Sequence, residues 1–191
     1  MSAAGTLKRW LQRLIRTERG VAAVEFALIL PIMVLTYVGT LEASTLITMD
    51  RKVQSVAGAM GDLVARVDGS VTASQMQDFF RASSGIMTPY SSSAVQQVVT
   101  AVRVNNDRST TVLWSRKYEG GVYSSSTPHA VGAAFAPLPE EMINIALGQT
   151  VIAAEAHYSY TPLLGVIFDR PVHLYRSSFF MPRFGAPVGI Q

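Results

Sequence analysis

The fold of this chain is decided by the stretch RGVAAVEF at residues 19–26 and by the apolar run that follows it at residues 27–41. A basic leader ends at Gly20, and a carboxylate, Glu25, stands five residues further on. Residues 21–41 contain no other charged side chain. A carboxylate inside a membrane helix costs on the order of 2 to 3 kcal/mol or more unless it is paired or lies near the interface. Glu25 therefore needs either a position at the membrane rim or a partner.

The apolar segment is long enough to cross a bilayer, since a span takes roughly 20 residues. Basic residues before the span predict a cytoplasmic N-terminus. We therefore expect a basic cytoplasmic leader at residues 1–20, a transmembrane helix at 21–48 and an α+β head outside the cytoplasm at 49–191. A secretory signal peptide is the competing interpretation, but its apolar region is shorter and ends at a cleavage site of small residues. The length of this run and the helical pattern beyond it favour the membrane anchor.

The positive charge of the chain is concentrated in the leader. Residues 1–20 carry five basic residues and one acidic residue, a net charge of +4, whereas the remainder has 11 basic and 12 acidic residues. The head therefore offers no basic face, and no nucleic-acid partner is expected. Apolar residues recur at helical spacing beside basic ones from Leu7 to Ile15, which suits either a segment on an anionic membrane surface or a simple topology signal. The chain has no cysteine, which excludes disulfides and thiolate metal sites.

A second apolar pattern extends the helix beyond the membrane. Seven apolar residues form one stripe at helical spacing: Val53, Val56, Ala57, Met60, Leu63, Val64 and Val67. Gly69 suits a left-handed C-terminal cap, so the helix should be about 45 residues long and lie half in lipid and half on a soluble domain.

Two features of the apolar half concern its shape and packing. Pro31 removes one backbone hydrogen bond and predicts a slight kink. Gly39 and Ala43 are four residues apart, which either permits close approach of a second helix or is chance in a segment rich in small residues.

The rest of the chain predicts a mixed head. A short helix is expected at residues 74–83 with Thr72 or Ser74 as its N-cap, and a brief one at 139–147. Alternating patterns predict a hairpin at 95–104 and 110–118, further strands at 150–160 and 171–180, a long loop at 120–137 and a tail without periodicity after Pro182. The expected fold class is α+β: the long helix packs on an antiparallel sheet of about four strands.

The sequence contains no recognisable catalytic or metal-binding arrangement. His129, His157 and His173 are far apart and none has a metal-ligand spacing with a second histidine or carboxylate. Glu140 and Glu141 lie at the start of a predicted helix, where carboxylates stabilise the helix dipole. We therefore expect no enzyme, metal site or cofactor.

The sequence RGVAAVEFALILP at residues 19–31 resembles the N-terminus of the TadE-like pseudopilins of tight-adherence (Tad, Flp-type) pilus systems, a branch of the type IV pilin-like proteins. The similarity is strongest over residues 19–66 and looser at 112–116, 138–139 and 154–162. It implies a pilin-like fold and cleavage between Gly20 and Val21 by a membrane prepilin peptidase.

In that event Val21 becomes the new N-terminus and Glu25 its fifth residue, so the free ammonium and the carboxylate can neutralise one another within one chain or between neighbours. The alternative is that Glu25 is a rim charge in an uncleaved anchor. Phe26 stands where the major pilins of this system usually have Tyr, and the head is larger than a major pilin needs.

The resemblance therefore implies a minor pseudopilin or assembly subunit in the inner membrane, with a periplasmic head, that helps to initiate, prime or cap the pilus and so serves adherence. Its implied partners are the prepilin peptidase, other pseudopilins and pilin subunits, and the inner-membrane assembly platform. The alternative function is a single-pass periplasmic binding or scaffold protein without a pilus role.

Overall fold

The structure is a computed structural model that describes residues 18–125, 128–162, 165 and 169–191. The chain divides into two compact units. The first comprises Met1–Ser44 and Pro162–Asp169, and the second comprises Thr45–Thr161 and Arg170–Gln191. The amphipathic segment predicted at Leu7 to Ile15 lies outside the described residues.

One long helix, α1, runs from Glu18 to Ala65 and confirms the predicted single element. In the second unit five residues of the predicted stripe are buried, whereas Leu63 and Val67 are half-buried and Val67 lies just beyond the helix. Gly69 follows with a φ of 81°, the left-handed conformation predicted for the end of the helix. The residues of α1 that form the core of the second unit are Met49, Val53, Val56, Ala57, Met60, Val64 and Ala65.

The α1 stripe packs on an antiparallel sheet of five strands. The strands lie side by side in the order Val122–Ser124 (β4), Thr110–Glu119 (β3), Val95–Val104 (β2), Thr150–Tyr160 (β5) and Val172–Phe180 (β6). The predicted hairpin is present as β2 (Val95–Val104) and β3 (Thr110–Glu119), with β5 (Thr150–Tyr160) on the other side of β2 and β6 (Val172–Phe180) at the edge. The α+β class and the helix-on-sheet packing are therefore confirmed.

The predicted loop at 120–137 is wrong at its start, where strand β4 (Val122–Ser124) pairs with β3. Glu119 pairs with Val122, so Gly120 and Gly121 form a two-residue turn, and both have positive φ values, 61° and 82°. A Gly-Gly pair between two strands is a hairpin signal. The sheet therefore has one strand more than the four expected.

The C-terminal tail also contains a strand that its lack of periodicity concealed. Strand β7 (Gly189–Ile190) pairs in parallel with β1 (Ser70–Val71), just after α1. Trp114 on β3 donates its indole N–H to the carbonyl of Val188 at 2.8 Å. This long-range pairing ties the end of the chain to the head.

The two short helices lie near their predicted positions. Helix α2 (Ala73–Ser84) begins with a capping box in which the Thr72 hydroxyl accepts from Gln75 N–H and the Gln75 side chain accepts from Thr72 N–H. Helix α3 (Glu140–Ile145) follows Pro139.

Strand β2 is buried on both faces, because the sheet is covered on each side. On one face Val99 and Ala101 pack with α1 and α2. On the other, which we call the outer face, Val102 and Val104 pack with residues from the segment before α3 and from its end, including Phe135, Leu138 and Ala146. The apolar half of the outer face is therefore part of the hydrophobic core.

Candidate functional site

The predicted processing site, Gly20 and Val21, and the pilin-type glutamate Glu25 with its neighbour Phe26 all lie in α1. Val21 and Phe26 are 48% and 58% exposed, and Glu25 is also exposed. Val21 and Glu25 are four residues apart in a helix and so lie on one face.

The apolar run beyond Glu25 has exposed side chains along its length. Among the residues that the structure describes, α1 is the one helix long and apolar enough to cross a membrane, and an 18-residue stretch within it has a mean hydropathy of 2.2. Residues 21–41 at about 1.5 Å per residue extend roughly 31 Å, which matches a bilayer core of about 30 Å. This segment of the helix is therefore suited to contact lipid around its circumference.

The two threonine hydroxyls inside this segment are satisfied within the helix. The Thr36 hydroxyl donates to the Ile32 carbonyl at 2.8 Å, and the Thr40 hydroxyl donates to the Thr36 carbonyl at the same distance. Such internal bonds remove the cost of placing hydroxyls in hydrocarbon. The helix continues through Pro31, whose kink stays a prediction.

Gly39 and Ala43, the predicted packing pair, are half-buried, and Glu42 between them is only 4% exposed. They lie on consecutive turns of α1, within the first unit. The pair stays a prediction for contact with a second helix.

Residues 20–59 match the family model described as TadE-like protein. This segment is TadE-like. The match begins at Gly20, covers Glu25 and the apolar run, and ends within the part of α1 that packs on the sheet. It confirms the resemblance predicted from residues 19–31 and supports an association with Tad pili and an anchor in the membrane. No curated protein and no solved structure matched the chain.

The head contains a polar cluster that the sequence analysis missed. His129 Nε2 lies 2.6 Å from Glu155 Oε2, and the Tyr175 hydroxyl donates to Glu155 Oε1 at 2.7 Å. The sequence analysis did not predict this contact between His129 and Glu155. The segment before α3 crosses the outer face and brings His129 over β5, a contact that spacing along the chain cannot reveal.

Glu155 is 5% exposed, so its two partners satisfy a carboxylate that would otherwise be costly to bury. Burial, and then the bond to Glu155, raise the pKa of Tyr175 to about 12. Within the described chain no group of three His, Cys, Asp and Glu side chains could hold a metal ion. The cluster fastens the covering segment to the sheet.

Next to this cluster the outer face is open and concave. A cavity of about 300 Å³ is present where β2 and β6 begin and β3 and β5 end. Burial lowers the pKa of His157, whose ring lies 4.7 Å from that of Tyr175 at a tilt of 44°. The described residues that line it are Ala94, Gln96, Glu119, His157, Tyr158, Ser159, His173, Leu174 and Tyr175.

Proposed function

We propose that this chain is a minor pseudopilin or assembly protein of a Tad (Flp-type IVc) pilus, held in the inner membrane by a single pass of α1. The observation that carries the proposal is the TadE-like match over residues 20–59. The matched segment contains Gly20, Glu25 and the exposed apolar part of α1 that follows them. The leader lies in the cytoplasm and the head in the periplasm, in accord with the positive charge before the span.

The prepilin peptidase cleaves the bond between Gly20 and Val21. Cleavage removes the leader, which is the most basic part of the chain, and creates an ammonium group at Val21. Glu25 then neutralises this ammonium at the membrane rim, either in the same chain or in a neighbour. Since a mispaired charge in lipid is costly, this pair sets the register in which subunits leave the bilayer.

The head directs the subunit to assembly, where it initiates, primes or caps the pilus and so supports adherence. Other pseudopilins, pilin subunits and the inner-membrane platform are its partners. The large head favours a specialised subunit, because a repeated filament subunit needs little beyond the helix. Gly39 and Ala43 provide the surface on which a neighbouring helix packs closely.

Substitution of Glu25 tests this function in cells that make Tad pili. We expect Glu25→Ala to reduce surface pili at least about tenfold, because an unpaired charge inside a helix assembly costs more than about 1.4 kcal/mol. Glu141→Ala is the matched control, since Glu141 is an exposed carboxylate of the head.

Both variants should keep the unfolding temperature of the head, measured by circular dichroism. Normal pili with Glu25→Ala would contradict the role assigned to Glu25. If the tagged wild-type chain fails to cross-link in the membrane to pilin subunits or to the platform, the pilus function itself is contradicted and a separate scaffold role is favoured.

A further inference from the structure

The cavity on the outer face of the sheet is lined by residues that lie outside the TadE-like segment at residues 20–59. Its described lining comes from four strands of the head and from the residue before β2. The volume of about 300 Å³ is at the lower end of the range for small-molecule sites. The cavity is therefore large enough for a single ring-sized group.

The described lining is nearly neutral in charge. Glu119 is its one carboxylate, and it is already paired with Lys117 at 2.5 Å. No lysine or arginine is among the described lining residues, so an anionic ligand would find no free cation there. A cationic ligand would have to compete with Lys117, and the described residues lack a three-ligand metal group. The charges therefore favour an uncharged ligand.

The polar groups of the lining are side chains that both donate and accept hydrogen bonds. Gln96 offers an amide, Ser159 a hydroxyl, and His157 and His173 offer imidazoles. The central strands β2 and β5 are paired on both sides, so a peptide cannot add a strand within this cavity. Recognition there must use side chains and a ligand with several hydroxyl or amide groups.

Apolar surface in the described lining comes from Ala94, Leu174 and the rings of Tyr158 and Tyr175. His157 and Tyr175 lie side by side across β5 and β6, and Tyr175 is held by its hydroxyl bond to the buried Glu155. Its hydroxyl is thereby occupied, and the ring remains as a wall that is 41% exposed. The negative face of such a ring attracts the C–H groups of a saturated ring that carries hydroxyls.

We propose that this cavity binds a neutral, hydroxyl-rich ring, namely a sugar residue of a glycan. The amide, hydroxyl and imidazole side chains bind its hydroxyl groups, and the Tyr175 ring contacts its C–H face. The Glu155 cluster positions that ring and does not touch the sugar. The site would give the head a ligand independent of the pilus partners.

Saturation-transfer NMR on the full chain in lipid nanodiscs tests the proposal, because nanodiscs avoid detergents with sugar head groups. The probes are methyl α-mannoside, methyl β-galactoside, methyl β-glucoside and N-acetylglucosamine. We expect at least one to bind with millimolar affinity. Gln96→Ala and Ser159→Ala should each weaken binding about five- to tenfold, as expected for the loss of one hydrogen bond.

Matched controls separate the cavity from the rest of the head. Gln77→Ala removes a glutamine from α2, outside the cavity, and should leave the affinity unchanged. Tyr175→Phe keeps the ring and should retain binding within about threefold, whereas Tyr175→Leu removes the ring and should weaken binding at least about tenfold. Circular dichroism verifies that each variant is folded.

Three outcomes would overturn the proposal. One is the absence of saturation transfer to all four sugars. Another is equal binding by wild-type protein and the Gln96→Ala, Ser159→Ala and Tyr175→Leu variants. The third is that inorganic phosphate or Zn²⁺ shifts the His157 and His173 signals while no sugar does so.

Discussion

At Gly61 the long helix packs tightly against the sheet. A Cβ atom there would lie 2.5 Å from the Phe180 ring and 3.1 Å from the Ala154 Cβ, whereas a Cβ at Gly58 would have as its nearest neighbour the Ser178 hydroxyl, at 3.9 Å. Alanine favours a helix over glycine by about 1 kcal/mol. The two glycines are therefore a matched pair on one helix.

We expect Gly61→Ala to lower the free energy of unfolding by about 1 kcal/mol or more, because displacement of Phe180 costs more than the helix gains. Gly58→Ala should raise it by about 0.5–1 kcal/mol. Urea unfolding followed by circular dichroism measures both. A stabilised Gly61→Ala variant would contradict the close packing of α1 on β6.

Asp62 forms two ion pairs, a local one with Arg66 four residues further on and one with Arg183 that joins α1 to the C-terminal segment. Hydrogen bonds from Arg66 and then Arg183, each at 2.5 Å, hold the pKa of Asp62 below its usual range. Because the folded-state pKa is lowered, the ionised carboxylate stabilises the fold above the unfolded pKa. This contribution is lost as the pH falls through the folded pKa.

Asp62→Asn should therefore reduce the thermal stability at pH 7 and flatten the loss of stability on acidification below about pH 4. The control is Asp78→Asn, since the Asp78 carboxylate is 69% exposed and 4.0 Å from Arg81. Melting temperatures measured between pH 2 and pH 7 compare each variant with the wild-type protein. This pH range includes the ordinary aspartate pKa of about 3.9. An unchanged acid profile would show that the ion pairs contribute nothing.

At the scale of elements, the tail strand β7 closes the helix side of the head. Val188 is buried, its carbonyl accepts the Trp114 indole N–H, and Gly189 and Ile190 pair with β1. Removal of the last four residues leaves the indole N–H without its acceptor and opens a cavity in the core.

A chain that ends at Pro187 should lose about 2–4 kcal/mol of stability, and its Trp114 fluorescence should shift to the red as water reaches the indole. A Trp10→Phe background leaves Trp114 as the remaining tryptophan. Phe184→Ala is the control, because Phe184 is 61% exposed and should change stability by no more than about 0.5 kcal/mol. Wild-type fluorescence in the truncated chain would contradict the role of the tail.

Local periodicity predicted the elements that bury one stripe or one face. The α1 stripe, the N-cap at Thr72, the hairpin and β5 all follow from residues within a few positions of one another. Strand β4 has three residues and β7 has two, too few for alternation to be visible. Strand β4 forms by pairing with the adjacent β3, and its signal in the sequence is the Gly-Gly turn. Strand β7 forms by pairing with the distant β1 and has no local signal in the sequence.

The same limit applies to the polar cluster of the head. The alternating pattern of β5 correctly predicts Glu155 and His157 on one side of the strand and Ile152 and Ala154 on the other. The approach of His129 depends on how the segment before α3 crosses the outer face, and no spacing in the sequence encodes that path. The contact between His129 and Glu155 could therefore not be predicted from the sequence.

For the whole molecule, the two described units serve different surroundings. The first contains the exposed apolar part of α1, which suits lipid, and the second is a head with its own core on both faces of a sheet. The TadE-like match joins them, since residues 20–59 extend from the first unit into the second. This arrangement is consistent with the membrane-anchored pilus subunit that we propose.

The proposed role depends most directly on whether the Gly20–Val21 bond is cut, and the mass of the mature N-terminus decides this. The chain should be purified from membranes of cells with and without the prepilin peptidase and its N-terminal peptide sequenced by mass spectrometry. The account predicts a chain that starts at Val21 in the first case and retains the leader in the second. A leader retained in both would contradict processing and leave Glu25 without the ammonium that we assign as its partner.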